Sequence, residues 1–475
     1  MAYISAQSGY LLLFIFGFTM LAVSYIWKKH KGTSSDFLLA DRRLGWFEGG
    51  LSIAASWIWA PALFVSTQVA YQKGLAGLFW FTVPNVLALM LFAALGPKIR
   101  ELFPEGYTLP QFIRKRLGSR KLHLLYLFPY FFYQLMAVTV QLFAGGHLIM
   151  LLTGIPLMTV MPILLVIALS YTLISGLRAS VLTDVIQLLA ILMIGAVILP
   201  MAWVTGGGWT AISAGFSGTG QFSGLFDPGV AFSFGIVTAI GLIAGAVSDQ
   251  QYWQRTFALK KEDLKKAFIF GSVLFAMVPV GLSILGFLAV SPDSGIALAD
   301  GADTSMIGVQ TVATLLPRWA LVLFTIMLFS GLSSTLDSGL SAVSSLWVTD
   351  IRKDGDERQK IRSARLAMTG IGLLGLGVAY LADQVPGFGL QHLWWIFNTI
   401  AACILVPTIL SLYKKDLNPN AVFWGVLVAF VLGIPLFVYS NIIDQPVWIV
   451  GSALFVVIVS SMPSLLFKIC YNGRK

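Results

Sequence analysis

Residues 49–61 read Gly49-Gly50-Leu51-Ser52-Ile53-Ala54-Ala55-Ser56-Trp57-Ile58-Trp59-Ala60-Pro61. They fall inside an apolar run from about 46 to 71, yet they carry glycines, serines, tryptophans and a proline. A regular lipid-facing helix has no use for such a run. Irregular backbone at membrane depth survives only where it lines a cavity or is packed in protein, so this stretch marks an interrupted span and a place to look for function. A second interruption is expected in the run 229–252, where Gly235, Gly241 and Gly245 precede Ser248-Asp249-Gln250.

The surrounding chain fits that reading. Of its 475 residues, 57% are hydrophobic and 11% charged, against roughly 25% charged in a soluble domain; the mean hydropathy is +0.84. A soluble globular protein is excluded. A hydrocarbon core of about 30 Å needs about 20 apolar residues per helix. Such runs occur at 10–27, 46–71, 75–97, 123–152, 155–175, 180–203, 229–252, 267–290, 317–348, 364–382, 388–413, 419–440 and 446–468. The first is not a cleavable signal peptide, because Lys28, Lys29 and Lys31 follow the apolar run instead of preceding it.

Alternating these spans from an outside N-terminus puts 29 of the 31 Lys and Arg residues on the cytoplasmic side, leaving only Lys73 and Arg318 outside. The net charge of +10 is therefore an orientation signal and gives no reason to expect nucleic acid. The C-terminus is expected inside a plasma membrane. The sequence carries no Asn-x-Ser/Thr sequon, which permits a bacterial inner membrane. Two cysteines (Cys403, Cys470) and four histidines (His30, His123, His147, His392) supply neither a disulfide framework nor zinc spacing. No nucleophile–base pair or phosphate loop appears, so an enzyme is not expected.

Spans two to six and seven to eleven form two five-helix halves, 46–203 and 229–413, each opening with an interrupted helix. An odd number of spans per half inverts one half relative to the other, as in inverted-repeat transporters. The helix at 10–27 and the pair at 419–468 are extra. The whole is one transmembrane domain, residues 1–475, all-α.

Two acids lie within spans. The ninth holds Ser330, Ser334, Asp337, Ser338, Ser341, Ser344 and Ser345, spaced by three and four along one helical face. Small hydroxyl residues alone serve close helix packing. A carboxylate costs at least ~2.5 kcal/mol at membrane depth, which makes Asp337 a functional candidate. Asp184, with Thr183 and Gln187 nearby, is the other; its structural alternative is a helix-end acid paired with Arg178. Hard cations favour hydroxyl, carbonyl and carboxylate oxygens.

Several motifs resemble the sodium/solute symporter family: Gly176-Leu177-Arg178-Ala179-Ser180-Val181-Leu182-Thr183-Asp184-Val185-Ile186-Gln187; Asp249-Gln250-Gln251-Tyr252-Trp253-Gln254-Arg255; and Ser334-Thr335 followed by Ser344-Ser345 and Thr349-Asp350. The likeness covers essentially the whole chain. Ala54 to Ala60, Ser66 to Tyr71, Gly77-Leu78-Phe79-Trp80 and Tyr252-Trp253 most resemble the urea active transporter branch. The resemblance implies a LeuT-type fold and sodium-coupled import of a small polar solute by alternating access. A urea-like amide is favoured; a quaternary ammonium, an amino acid or another small solute is the alternative.

The same resemblance implies a sodium site at the carbonyls of Ala55, Ile58 and Gly331 and the hydroxyls of Ser334 and Thr335. It implies a second cation or proton site at Asp184, Asp337 and Ser338, where Asp337 replaces the family's hydroxyl. One or two Na⁺ and no organic cofactor are expected. Substrate is expected near Trp57, Trp59, Phe79, Trp80, Ser248, Asp249, Gln250 and Asn398, with Trp394 and Trp395 close by. Tryptophans near span ends (Trp27, Trp203, Trp209, Trp448) read as interfacial anchors. The partners expected are the solute, sodium and lipid, in a monomer or weak homo-oligomer. Two rivals stand beside this reading. A proton-coupled symporter on the same fold would share a proton between Asp184 and Asp337. A membrane sensor module would need an output domain, which is not expected in the residues up to Lys475.

Overall fold

The computed structural model describes residues 3–26, 33–292, 295–296, 304–352, 354–385 and 389–466. Trp27, Lys28, Lys29, His30, Lys31 and Cys470 lie outside the described residues. Apart from one backbone bridge between Leu44 and Leu259, the regular structure described is helical.

Among the described residues, twelve helices are long and apolar enough to cross a membrane. In chain order the helices are α1 (Ala6–Ile26), α2 (Ser34–Leu39), α3 (Trp46–Trp57), α4 (Pro61–Leu102), α5 (Leu109–Leu117), α6 (Arg120–Thr153), α7 (Leu157–Ile174), α8 (Leu177–Thr205), α9 (Gly208–Ala214), α10 (Pro228–Ser248), α11 (Gln250–Ala258), α12 (Lys261–Val290), α13 (Ile307–Leu315), α14 (Arg318–Ile351), α15 (Glu357–Asp383), α16 (Leu390–Tyr413), α17 (Pro419–Ile442) and α18 (Pro446–Leu466). The protein is a multi-pass membrane protein.

Twelve continuous helices and thirteen apolar runs differ for a local reason. At 12 residues, α3 spans only about 18 Å at 1.5 Å per residue and cannot cross alone. At 42 residues, α4 would reach about 63 Å if straight, roughly twice the hydrocarbon thickness. It does not run straight: Gly74 adopts φ 58°, ψ −142°, a conformation open to glycine alone. A Cβ at Gly77 would lie 2.2 Å from the carbonyl oxygen of Val69, an approach possible only if the chain folds back between them. The segment before Gly74 completes the crossing begun by α3, and the segment after it makes the next one.

Packing follows from which faces carry small and polar residues. The helices α6, α14 and α16 are the most buried and α15 the least. Helix α14 lies against α6 and α8, α10 against α16, and α12 against both α4 and α3. Large apolar side chains such as Phe14, Val204 and Leu366 remain exposed on the periphery, as a lipid-facing surface requires. Interruptions are at the centre: α3 stops at Trp57 and the chain resumes helically at Pro61, while α10 stops at Ser248 and resumes as α11 at Gln250. Trp57 meets Tyr252 edge-on, ring centroids 5.0 Å apart, so the two breaks face each other across the core.

Candidate functional site

The first break is set by Pro61, which has no N–H to offer the carbonyl four residues earlier. The Trp57 carbonyl accepts instead from the Trp59 N–H at 2.9 Å, and the Ala55 carbonyl accepts from Ile58 at 3.1 Å. Ile58 sits at φ −80°, ψ 67°, outside helical geometry. The carbonyls of Ser56 and Ile58 then have no backbone donor in the loop. Their partner is one hydroxyl, that of Thr335 on α14, which lies 3.4 Å from the Ser56 oxygen and 3.2 Å from that of Ile58. A hydroxyl has one proton, so two carbonyl oxygens share a single long hydrogen bond. On the far side, the Ala60 N–H donates to Gln141 Oε1 at 2.9 Å. A Cβ at Gly331 would stand 3.0 Å from Ile58 Cγ2; glycine lets α14 come this close.

Of the five residues implied for sodium, Ala55, Ile58, Gly331 and Thr335 therefore meet at this break. The Ser334 side chain, on the neighbouring position of α14, donates instead to Asp184 Oδ1.

At the second break the Val247 carbonyl and the first turn of α11 find partners, while Asp249 Oδ2 and Gln250 Oε1 are buried without a partner among the described residues. Asp249 Oδ1 accepts from the Gln251 N–H at 2.8 Å and from Gln134 Nε2 at 3.0 Å. The Val247 carbonyl accepts from Tyr130 Oη at 2.8 Å and Trp253 Nε1 at 2.6 Å. Ser248 Oγ donates to the Ala401 carbonyl at 3.2 Å.

Below the first break lies a wholly buried charge cluster. Asp184 accepts from Ser52 Oγ at 2.5 Å and from Arg255 Nη2 at 2.7 Å. Arg255 is fully buried; its Nε donates to Ser52 Oγ at 2.9 Å, Nη2 to Ser338 Oγ at 2.7 Å and Nη1 to the Gln251 carbonyl at 3.2 Å. Leaving a buried guanidinium unpaired costs several kcal/mol, so this much hydrogen bonding is needed to hold it. Asp337 is held by hydroxyls: Ser180 at 2.7 Å, Thr183 at 3.1 Å and Ser338 at 3.4 Å, with the Tyr171 hydroxyl beside it. Among the described residues it has no Lys or Arg partner. Arg178, the alternative partner considered for Asp184, bridges to Asp36 at 3.1 Å. Of the remaining serines of the stripe, Ser330, Ser344 and Ser345 donate to carbonyls three or four residues back on their own helix, and Ser341 Oγ accepts from Gln254 Nε2 at 3.4 Å.

Beside Trp57 is a small cavity of ≈ 20 Å³, whose lining includes Trp57, Trp59, Asn85, Tyr133, Trp394 and Phe397 and no charged side chain. Trp59 stacks on Phe397 with centroids 5.3 Å apart. The indole N–H groups of Trp57 and Trp59 are buried and have no acceptor among the described residues. Asn398 sits at its edge, accepting from Tyr133 Oη at 3.3 Å.

Phe79 and Trp80 do not line this cavity. Phe79 packs against the exposed Phe226 at 4.9 Å, and Trp80 lies on Gly235. Gln250 points elsewhere too, donating to the Tyr107 carbonyl and Ser345. Sequence reasoning missed Ser52, Ser180, Arg255 and Tyr133. Ser180 and Asp184, one helical turn apart, carried a detectable signal; the others come from elements distant in sequence.

Comparison with known proteins agrees with this architecture. The model of the Sodium:solute symporter family matches residues 37–429. A urea-proton symporter, DUR3, of Oryza sativa subsp. japonica is 24% identical, covering 90% of this chain and 64% of its own. The urea active transporter of Saccharomyces cerevisiae is 22% identical over 85% of this chain and 59% of its own. This chain thus spans less than two thirds of the length of those urea transporters. A sodium/glucose cotransporter of Vibrio parahaemolyticus is 26% identical, with 85% and 80% covered. Among solved structures, a Na⁺-coupled sialic acid symporter in a substrate-bound outward-open state aligns with TM-score 0.78 over 97% of both chains at 19% identity, a likeness of fold.

Proposed function

Because this chain belongs to the Sodium:solute symporter family, whose matched relatives are transporters and not enzymes, we propose that it couples inward movement of a cation to uptake of a small neutral amide such as urea. The reading is carried by the first break: the Ser56 and Ile58 carbonyls share one hydroxyl donor, and a dehydrated Na⁺ seeks just such hard oxygens. Ala55, Gly331 and Thr335 complete the set, and a rotation of Ser334 away from Asp184 would add a further oxygen. The proposed orientation has the N-terminus outside and the C-terminus in the cytoplasm, with the repeats at 46–203 and 229–413.

The solute class follows from the aromatic cavity. Two buried indole N–H donors without acceptors call for a carbonyl oxygen, because an unmet buried donor costs about 1–3 kcal/mol. The Trp59–Phe397 stack suits a flat molecule, and a lining without charged side chains favours a neutral one. One Na⁺ down a tenfold gradient supplies about 1.4 kcal/mol and a potential of ~100 mV about 2.3 kcal/mol more, enough for accumulation of several hundredfold. Proteoliposomes given an inward sodium gradient at equal pH should concentrate labelled urea; simple equilibration across the bilayer would refute coupling.

One observation favours a second reading, with the proton as coupling ion. Thr183 Oγ1 lies 3.0 Å from the carbonyls of Ala179 and Ser180 as well as 3.1 Å from Asp337. If its proton serves the helix carbonyl, its lone pair is free to accept from a protonated Asp337, which is then satisfied without a metal cation. Uptake driven by an inward pH gradient in sodium-free buffer, and lost in Asp337→Asn, would select this reading.

A further inference from the structure

The end of α1 and the starts of α3 and α8 line a second cavity, of ≈ 260 Å³, that shares no lining residue with the aromatic cavity. Its lining includes Ser24, Arg43, Glu48, Arg178, Leu182 and Val185. From this geometry we propose a phospholipid site, with the headgroup phosphate between Arg43 and Arg178 and one acyl chain running up α8 along Leu182 and Val185.

Three observations converge on it. Arg43 is exposed and has no ion-pair partner among the described residues, and Arg178 commits only Nη1, to Asp36 at 3.1 Å. Two guanidinium groups with free N–H forks match a phosphate's oxygens. Ser24, at 2% exposure, is in the lining, and its Oγ has no hydrogen-bond partner among the described residues; it is a donor for an ester or phosphate oxygen. The level in the bilayer is also right. Trp46 and Phe47 are 41% and 55% exposed at the start of α3, where aromatic side chains sit among headgroups. Glu48 is the acid in the lining, and its Oε1 accepts the Gly45 N–H at 2.8 Å, so its charge is partly spent on the helix N-terminus. Basic pockets between the cytoplasmic ends of membrane helices bind anionic headgroups in this way.

The test titrates delipidated, detergent-purified protein with short-chain phosphatidylglycerol and, separately, with inorganic phosphate, reading the thermal midpoint. The lipid should raise it, and phosphate alone should not, because the tail supplies the apolar part of the affinity. Arg43→Gln, a change at a side chain that holds no protein partner, should weaken the lipid's apparent affinity about fivefold, from about 1 kcal/mol per basic residue near the surface. Arg43→Lys should recover most of that loss, and Ser24→Ala should weaken binding with Arg43 intact. Equal titrations of the parent protein and Arg43→Gln would overturn the site. An equal shift with inorganic phosphate would overturn its assignment to lipid.

Discussion

Two helices break at the centre of this protein, and they break differently. Both stretches combine small residues with a polar turn, yet at Val247–Gln250 the neighbouring helices bring donors of their own: the Val247 carbonyl is bonded by both Tyr130 and Trp253 and the new helix is capped by Asp249. The break at Ser56–Ala60 is left open: two carbonyls depend on the Thr335 hydroxyl at 3.2–3.4 Å. The difference teaches that interruption alone does not make an ion site. What matters is how many donors the surrounding helices bring to the freed oxygens. A break whose freed carbonyl has two donors keeps it occupied, whereas an under-supplied one has oxygens to give to a cation.

The largest effect should come from the cluster that supports the open break. Arg255→Gln leaves Asp184 buried without its cation, and breaking a buried pair costs about 3–5 kcal/mol. Thermal unfolding in detergent should show a drastically lowered midpoint or no folded yield. Unchanged stability would mean that another cation already compensates Asp184.

Next comes the second break. Trp253→Phe removes the N–H that donates at 2.6 Å while keeping an aromatic ring, at an expected cost of about 1–3 kcal/mol. Urea uptake measured at several sodium concentrations should keep its half-saturation point even though the protein unfolds earlier. If sodium dependence moves instead, the second break is not the inert partner described here.

A smaller effect is expected in the aromatic cavity. Trp59→Phe retains stacking with Phe397 but deletes one unpaired indole donor. The apparent affinity for urea should fall about fivefold to tenfold, the equivalent of about 1–1.4 kcal/mol, with sodium affinity little changed. Identical urea affinity in the two proteins would remove the indole from the solute site.

Much of the architecture was legible in the sequence because lipid imposes it: apolar run lengths gave the crossings, and the polar run at Ser52–Pro61 marked the first interruption. The reversal at Gly74 was not visible as a reason for separating two runs, since a lone glycine next to Lys73 looks like any loop residue. The carbonyl cradle was reached through family likeness, and the structure supplies its donor count. The pairing of Asp184 with Arg255 could not be read, because it joins residues 71 positions apart on helices whose relative placement is a matter of tertiary packing. Likewise the serine stripe of α14 looked uniform, but back-bonding to its own helix removes Ser330, Ser344 and Ser345 from the site. Only the identity of the neighbouring helix tells a working hydroxyl from a structural one.

The most direct test of the open-break account is the sodium dependence of urea uptake in proteoliposomes for the parent protein and Thr335→Ala, at constant pH and membrane potential. Removing the hydroxyl takes one oxygen from the cation's shell, so the half-saturating sodium concentration should rise about tenfold, the equivalent of about 1.4 kcal/mol. The thermal midpoint without sodium should fall only by what one long hydrogen bond contributes, about 1 kcal/mol. Superimposable sodium curves for the two proteins would contradict the assignment of the coupling cation to the first break.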